Sequence, residues 1–228
     1  MRFRNLLLIA GLIVSVSYSC RQRGGKYINH GEIHYNIEYI GGTGSFSKEL
    51  MPRNLVVSFK DDKILFEILA PIGNSGIINL VNPDLKLCDT YISLFGTRYY
   101  YAGKPGELHP GFESMAGIEL KKTSKTSVIC GYNCKNAEVT FPSDRSKIYN
   151  IWYTNEIKVK NSNLSTPFSE IDGVLMSFFF FLGKSELRFE AETVYEKNLS
   201  DKSLERRPKF KLISKDSMDK IITDMINL

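Results

Sequence analysis

Gly31-Glu32-Ile33-His34-Tyr35-Asn36-Ile37-Glu38-Tyr39-Ile40 alternates without a break. Ile33, Tyr35, Ile37 and Tyr39 face one way, and Glu32, His34, Asn36 and Glu38 face the other. A period of two in aromatic and β-branched residues is the mark of a half-buried strand. Gly41-Gly42-Thr43-Gly44-Ser45 ends it as a loop. The same pattern recurs outward along the chain. Leu55–Phe59 and Ile64–Leu69 flank a turn at Asp61-Asp62-Lys63. Ile77–Val81 and Leu85–Ile92 flank Asn82-Pro83-Asp84, whose residue types favour a tight reversal. Arg98–Tyr101 is short and aromatic, and 103–117 is a long Gly- and Pro-rich loop. Strand patterns resume at Thr126–Tyr132, Lys135–Phe141, Lys147–Thr154, Val174–Leu182 and Glu186–Tyr195. Residues 155–168 form a polar connection with room for a short helical turn.

The last fifteen residues are different. Met218, Ile221, Ile222, Met225 and Ile226 follow helical spacing, with Ser214 placed as a cap and Asp216 and Asp219 near the positive end. Hairpin-length links, with few stretches able to form crossover helices, predict a mostly β protein. Its expected form is an antiparallel sheet of about ten strands with a C-terminal helix.

Val174-Leu175-Met176-Ser177-Phe178-Phe179-Phe180-Phe181-Leu182 is apolar on both faces. Such a strand is either an ordinary central strand covered on both sides or one wall of an apolar cavity. Trp152 beside Tyr153 divides the same way, between core packing and a rigid aromatic pocket wall.

The N-terminus carries an address. Arg2 and Arg4 precede Leu6-Leu7-Leu8-Ile9-Ala10-Gly11-Leu12-Ile13-Val14, then small residues, then Cys20. That order is a secretory signal over 1–19, and the apolar run is too short for a membrane span. Cleavage before Cys20 makes it the lipid-bearing residue of a bacterial lipoprotein. Ser17 and Ser19 also satisfy an ordinary small-x-small cut at that bond. Residues 20–30 then serve as a tether. Arg21-Gln22-Arg23-Gly24-Gly25-Lys26 is basic without acids, which predicts an outer-membrane anchor facing the periplasm.

Removing Arg2 and Arg4 with the signal lowers the formal net charge from +5 to +3. The remaining charge is dispersed, which argues against nucleic acid. Lys202–Lys211 reads as a solvated loop. Cys130 and Cys134 are too far apart on one strand to bridge, so any disulfide would join Cys88 to one of them. The bland alternative is three buried packing cysteines. His30 and His34 read as exposed and unpaired, and His109 lies in a loop without a second ligand, so no metal site is expected. Nucleophile-elbow, phosphate-loop and zinc-protease motifs are absent. Ser45-Phe46-Ser47-Lys48 lacks the companion motifs in the order that penicillin-recognising enzymes need. Nothing predicts catalysis.

Several ordered motifs carry a family resemblance. They are Gly31-Glu32-Ile33-x-Tyr35-x-Ile37-x-Tyr39, Ser58-Phe59-Lys60-Asp61-Asp62-Lys63, Gly131-Tyr132-Asn133-Cys134-Lys135-Asn136-Ala137, Ile151-Trp152-Tyr153-Thr154-Asn155-Glu156-Ile157 and Ile171-Asp172-Gly173-Val174-Leu175. Together they resemble exported Gram-negative envelope proteins similar to the superfamily of lipoprotein-localisation carriers. The resemblance implies a single half-barrel domain over 31–228, curved and antiparallel, with a helix over an apolar concave side. It implies an apolar ligand, a lipid or acyl chain, and no cofactor. The 103–117 loop is a departure from that pattern. The ligand-contacting residues expected are Trp152, Val174, Met176, Phe178, Phe180, Met218 and Ile222, with the parity of the strand residues left open. The competing expectation is a structural or protein-interaction module of the envelope, using sheet edges and Tyr99-Tyr100-Tyr101 to hold a partner.

Overall fold

The computed structural model describes residues 27–41, 51–71, 75–94, 96–182 and 185–227, with side chains as far as 225. The signal sequence, Cys20 and most of the tether lie outside the described residues. The strands are β1 (His30–Ile40), β2 (Asn54–Lys60), β3 (Lys63–Leu69), β4 (Gly76–Asn82), β5 (Leu87–Leu94) and β6 (Thr97–Ala102). They continue as β7 (Glu119–Ile129), β8 (Tyr132–Phe141), β9 (Asp144–Thr154), β10 (Val174–Leu182), β11 (Ser185–Tyr195) and β12 (Lys211–Leu212). Helix α1 spans Lys215–Asn227, and 3-10 turns occupy Glu113–Met115 and Asp201–Leu204. All the strands join one sheet in the order β12-β6-β5-β4-β3-β2-β1-β11-β10-β9-β8-β7. Every neighbouring pair is antiparallel except β12 with β6. The sheet is curved and does not close into a barrel.

Register makes the inner face apolar. Tyr35, Leu55, Ile68, Ile77, Ile92 and Tyr99 are successive cross-strand partners from β1 to β6. On the other side Ile37, Phe189 and Phe178 continue the surface. One face of an antiparallel sheet carries alternate residues, so the alternation read at 31–40 sets this floor. Among the described residues no second sheet covers it. Three other segments do: 103–118 through Phe112 and Met115, 155–173 through Ile157, Val159, Phe168 and Ile171, and α1 through Met218 and Ile222, all buried.

The 155–173 segment is therefore a buried part of the roof rather than a polar surface connection, and it contains no helix. Its polar side chains satisfy its own backbone. Asn163 Nδ2 donates to the carbonyls of Ile171 (2.8 Å) and Gly173 (2.9 Å), and the Ser162 and Thr166 hydroxyls donate to Gly173 and Asn163.

The outer face has a smaller core of its own. Leu65, Ile78, Leu80, Leu87 and Tyr91 pack with Leu204, and Phe210 closes against them. The Arg206 guanidinium donates twice to the fully buried Asp89 (2.8 and 2.9 Å), and Tyr91 Oη donates to the same carboxylate (2.7 Å). Arg207 pairs with Glu67 at 2.7 Å. The basic stretch is thus a strap tied to the sheet, not a solvated loop, because two of its arginines meet acids on outward-facing strand positions. Tyr99-Tyr100-Tyr101 is not a free surface either. Tyr99 and Tyr101 pack under α1, and Tyr100 stacks on Tyr91.

The two-faced strand β10 has a specific cause. It pairs with β9 only over Val174–Ser177, with a bulge between Leu175 and Ser177. Beyond that the two strands share no pairs, and aromatic rings occupy the seam. Tyr149 stacks on Phe179 at 4.5 Å, while Phe141 meets Phe181 at 5.5 Å and Tyr149 at 5.7 Å. Phe178 and Phe180 serve the inner face, and Phe179 and Phe181 serve the seam.

Other local readings shift. Cys130 and Gly131 both have positive φ (51° and 78°), forming the reversal between β7 and β8. The run read as a strand over 126–132 is therefore cut by its turn. Lys86, at φ 53°, delays the start of β5 to Leu87. Cys88 and Cys134 are buried and free, and β5 and β8 stand far apart in the strand order. A bridge from Cys88 to either of the other two does not form. His30 is paired through its Nδ1, 3.0 Å from Asn29 Oδ1, whereas His34 Nε2 stands 3.5 Å from Glu32 without a hydrogen-bond partner among the described residues.

Candidate functional site

The candidate site is the hollow between floor and roof. A cavity of about 30 Å³ lies among Leu55, Phe66, Ile68, Ile77, Phe112, Phe180 and Leu182, with Asn79, Pro110 and Thr166 completing its wall. A second, of about 20 Å³, lies beside Tyr35, Val57, Phe59, Val174, Leu175 and Phe178. Each is big enough for a water molecule and far too small for an acyl chain. The hollow is closed in this state because the roof fills it. Phe112 packs on Phe180 at 4.3 Å, Met115 is fully buried, and Phe168 stacks on Phe180 at 5.8 Å. The 103–117 loop works as a plug. A roomier depression of about 410 Å³ on the outer face is bordered by Asn36, Glu38, Ser177, Arg188 and Glu190. That polar border does not suit an apolar ligand.

The residues expected at the site are only partly brought together. Phe180 lines the first cavity, and Val174 and Phe178 line the second. Met218 and Ile222 are buried on the underside of α1, against Ile77, which itself lines the first cavity. Met176 is fully buried but lines neither cavity, because the bulge takes it out of register. Trp152 partners Ser177 and Asn136, and Ser177 partners the exposed Glu190. Trp152 therefore faces the other side of the sheet from the hollow.

Helix α1 is seated by caps and contacts. Ser214 Oγ accepts from the Ser217 amide at 3.3 Å, as a cap should. Where the helix crosses the plug, the Gly111 amide donates to both Asp219 Oδ1 (2.8 Å) and Glu113 Oε2 (2.9 Å). Gly111 has φ +94°, and a Cβ there would stand 3.0 Å from Ile222, so the close approach needs a glycine. Burial, with Glu113 alongside, raises the Asp219 carboxyl to about 6. Lys215 Nζ lies 3.5 Å from Glu107 and 3.6 Å from Glu113, closing the rim.

Sequence reading missed the polar groups under the plug. Thr90 Oγ1 and His109 Nδ1 are 3.0 Å apart, and Cys88 Sγ is 3.1 Å from Ser165 Oγ. His109 is buried, and that burial depresses its pKa to about 4. His109 Nε2 and Asn79 Oδ1 are buried with no hydrogen-bond partner among the described residues. Asn79 interrupts the apolar run of Ile77, Ile78, Leu80 and Val81, which is the signal the sequence offered. Nothing local linked it to His109, thirty residues on.

No protein-family model matches the sequence, and no curated protein matches it. Among solved structures, PNGF-II in two crystal forms is similar at TM-scores of 0.53 and 0.52, with 21% identity over 85% and 87% of this chain. The match covers 32% and 33% of PNGF-II, so this chain spans about a third of that protein's length. The LolA superfamily protein NE2245 from Nitrosomonas europaea matches 83% of this chain and 94% of its own, at 10% identity and TM-score 0.35. LprF from Mycobacterium bovis matches at 9% identity and TM-score 0.28, over 75% of this chain and 88% of its own. The resemblance to the lipoprotein-localisation carriers is thus met again among solved structures, at a level that carries nothing about function. The likeness to PNGF-II concerns the fold.

Proposed function

We propose that this protein is an exported, non-catalytic envelope protein, anchored through lipidated Cys20, that takes a lipid or acyl chain into the half-barrel when its plug withdraws. One observation carries this reading: an apolar floor is roofed by loops and one helix rather than by a second sheet, and unfilled space remains between them. Loop and helix roofs are the elements that open at low cost in other folds. The occupant is apolar because ten residues line the first cavity and seven are aliphatic or aromatic, besides Pro110. Organic extraction of natively purified protein, followed by mass spectrometry, tests it. An acyl lipid at near-equimolar amount supports the reading. Its absence, together with failure to take up added lipid, opposes it.

A second reading has an observation of its own. The same fold forms about a third of the longer PNGF-II chain, which favours a module that works beside another domain or partner. On that reading the core stays shut, and extraction yields no lipid.

A further inference from the structure

Asn79 is the exception in the first cavity. It is over nine-tenths buried, and its Oδ1 has no hydrogen-bond partner among the described residues. It lines the cavity with Phe112 and Phe180. Its cross-strand partner is Thr90, which is bound to His109. His109 Nε2 is a second buried atom without a partner. Two unsatisfied polar atoms, Asn79 Oδ1 on the floor and His109 Nε2 on the plug, cost stability unless something completes them.

Resting on the lipid-binding reading above, we infer that Asn79 recognises the polar end of the ligand. The ligand class is a neutral acyl compound bearing a hydroxyl or amide hydrogen, which donates to Asn79 Oδ1. An acceptor oxygen needs a donor, so an ether, an ester or a hydrocarbon leaves Asn79 unsatisfied. A carboxylate is excluded on charge. Burial keeps His109 neutral at ordinary pH, and the Lys215 ammonium stands at the rim with Glu107 and Glu113. An ion in the cavity would therefore lack a counter-charge. The arrangement follows the general plan of ligand sites, mostly apolar with a few placed polar groups.

The test uses the full mature chain and displacement of diphenylhexatriene, a dye without polar atoms. The competitors are 1-dodecanol, its methyl ether and dodecanoate. The alcohol should displace dye at about tenfold lower concentration than the ether, the size of one buried hydrogen bond, with dodecanoate weakest. Asn79→Leu should still bind dye while losing the preference for the alcohol. Equal displacement by alcohol and ether in the wild type overturns the inference, and so does a preference that survives Asn79→Leu. A water held at Asn79 would give the first of these results. If neither dye nor any dodecyl compound binds, the lipid-binding reading itself falls, and the inference falls with it. The wild-type comparison needs no variant, so it stands even if Asn79→Leu fails to fold.

Discussion

At the scale of single residues, the most committed interaction lies on the outer face, away from the hollow. Asp89 is fully buried, and its charge is met by Arg206 and Tyr91. Arg206 is partly exposed, which softens the interaction through solvent screening. Arg206→Ala leaves a buried carboxylate without its cation, and about 2–3 kcal/mol of stability should be lost, less than the roughly 3–5 kcal/mol of a fully buried pair because solvent screens Arg206. A change under about 0.5 kcal/mol in denaturant unfolding would contradict this, because that is what an ordinary surface substitution gives. Neither member was legible beforehand. Asp89 looked like one polar residue in a strand and Arg206 like part of a loop, and only the return of the strap joins them. Asp219 gives a pH signature. Its carboxyl is raised from about 3.8 to about 6, so the folded protein holds that proton more tightly than the unfolded chain. The associated stability is fully present below about pH 3.8 and is lost as pH rises through 6. His109, depressed to about 4, acts with the opposite sign and loses its contribution as pH falls through that value. Comparing Asp219→Asn with wild type removes the shared His109 effect. The variant should melt higher than wild type at about pH 8 and match it at about pH 4. An equal difference at both pH values would dismiss the raised carboxyl.

At the scale of elements, the roof carries the predictions. Phe112 holds the plug against Phe180. Phe112→Ala should destabilise the protein by about 3 kcal/mol, typical of a buried aromatic lost to a cavity, and should increase uptake of diphenylhexatriene. Loss of stability without greater uptake would mean that the space opened by the variant collapses. Deleting 214–228 removes Met218 and Ile222 from Ile77, Ile92 and the β6 tyrosines. A helix this short depends on docking for its own stability, whereas the sheet has a separate core across β1, β2 and β8–β11. The truncated chain should keep its β circular dichroism and bind more dye. Cooperative loss of the β signal would instead make the helix part of the core. Elements were legible in proportion to their periodicity. β1 and α1 follow their patterns closely, since alternation and i, i+3, i+4 spacing report burial directly. Three features escaped. β12 is two residues long, the β7–β8 reversal places a cysteine at positive φ, and 155–173 is buried despite its polar composition, because its side chains bond its own backbone.

For the whole molecule, the class of fold was readable and the state of the hollow was not. Alternating strands with hairpin-sized links lead to one antiparallel sheet, and the helix had to cover it. Whether the inner face encloses a ligand or is packed shut depends on Phe112, Met115 and Phe168, which reach the floor from loops whose sequences carry no periodicity. The same limit explains Trp152. Its aromatic character suggested a wall, while its side of the sheet depends on pairing with Ser177 and Asn136. The central claim is that an acyl ligand enters between plug and floor. A dodecanol carrying a photoreactive diazirine, irradiated with the purified protein and mapped by peptide mass spectrometry, tests it most directly. Labelling should fall on peptides containing Phe66, Ile77, Phe112 and Phe180, and excess 1-dodecanol should suppress it. Labelling confined to outward residues such as Val128 and Ile148, which are exposed, or labelling that dodecanol does not suppress, would contradict the account.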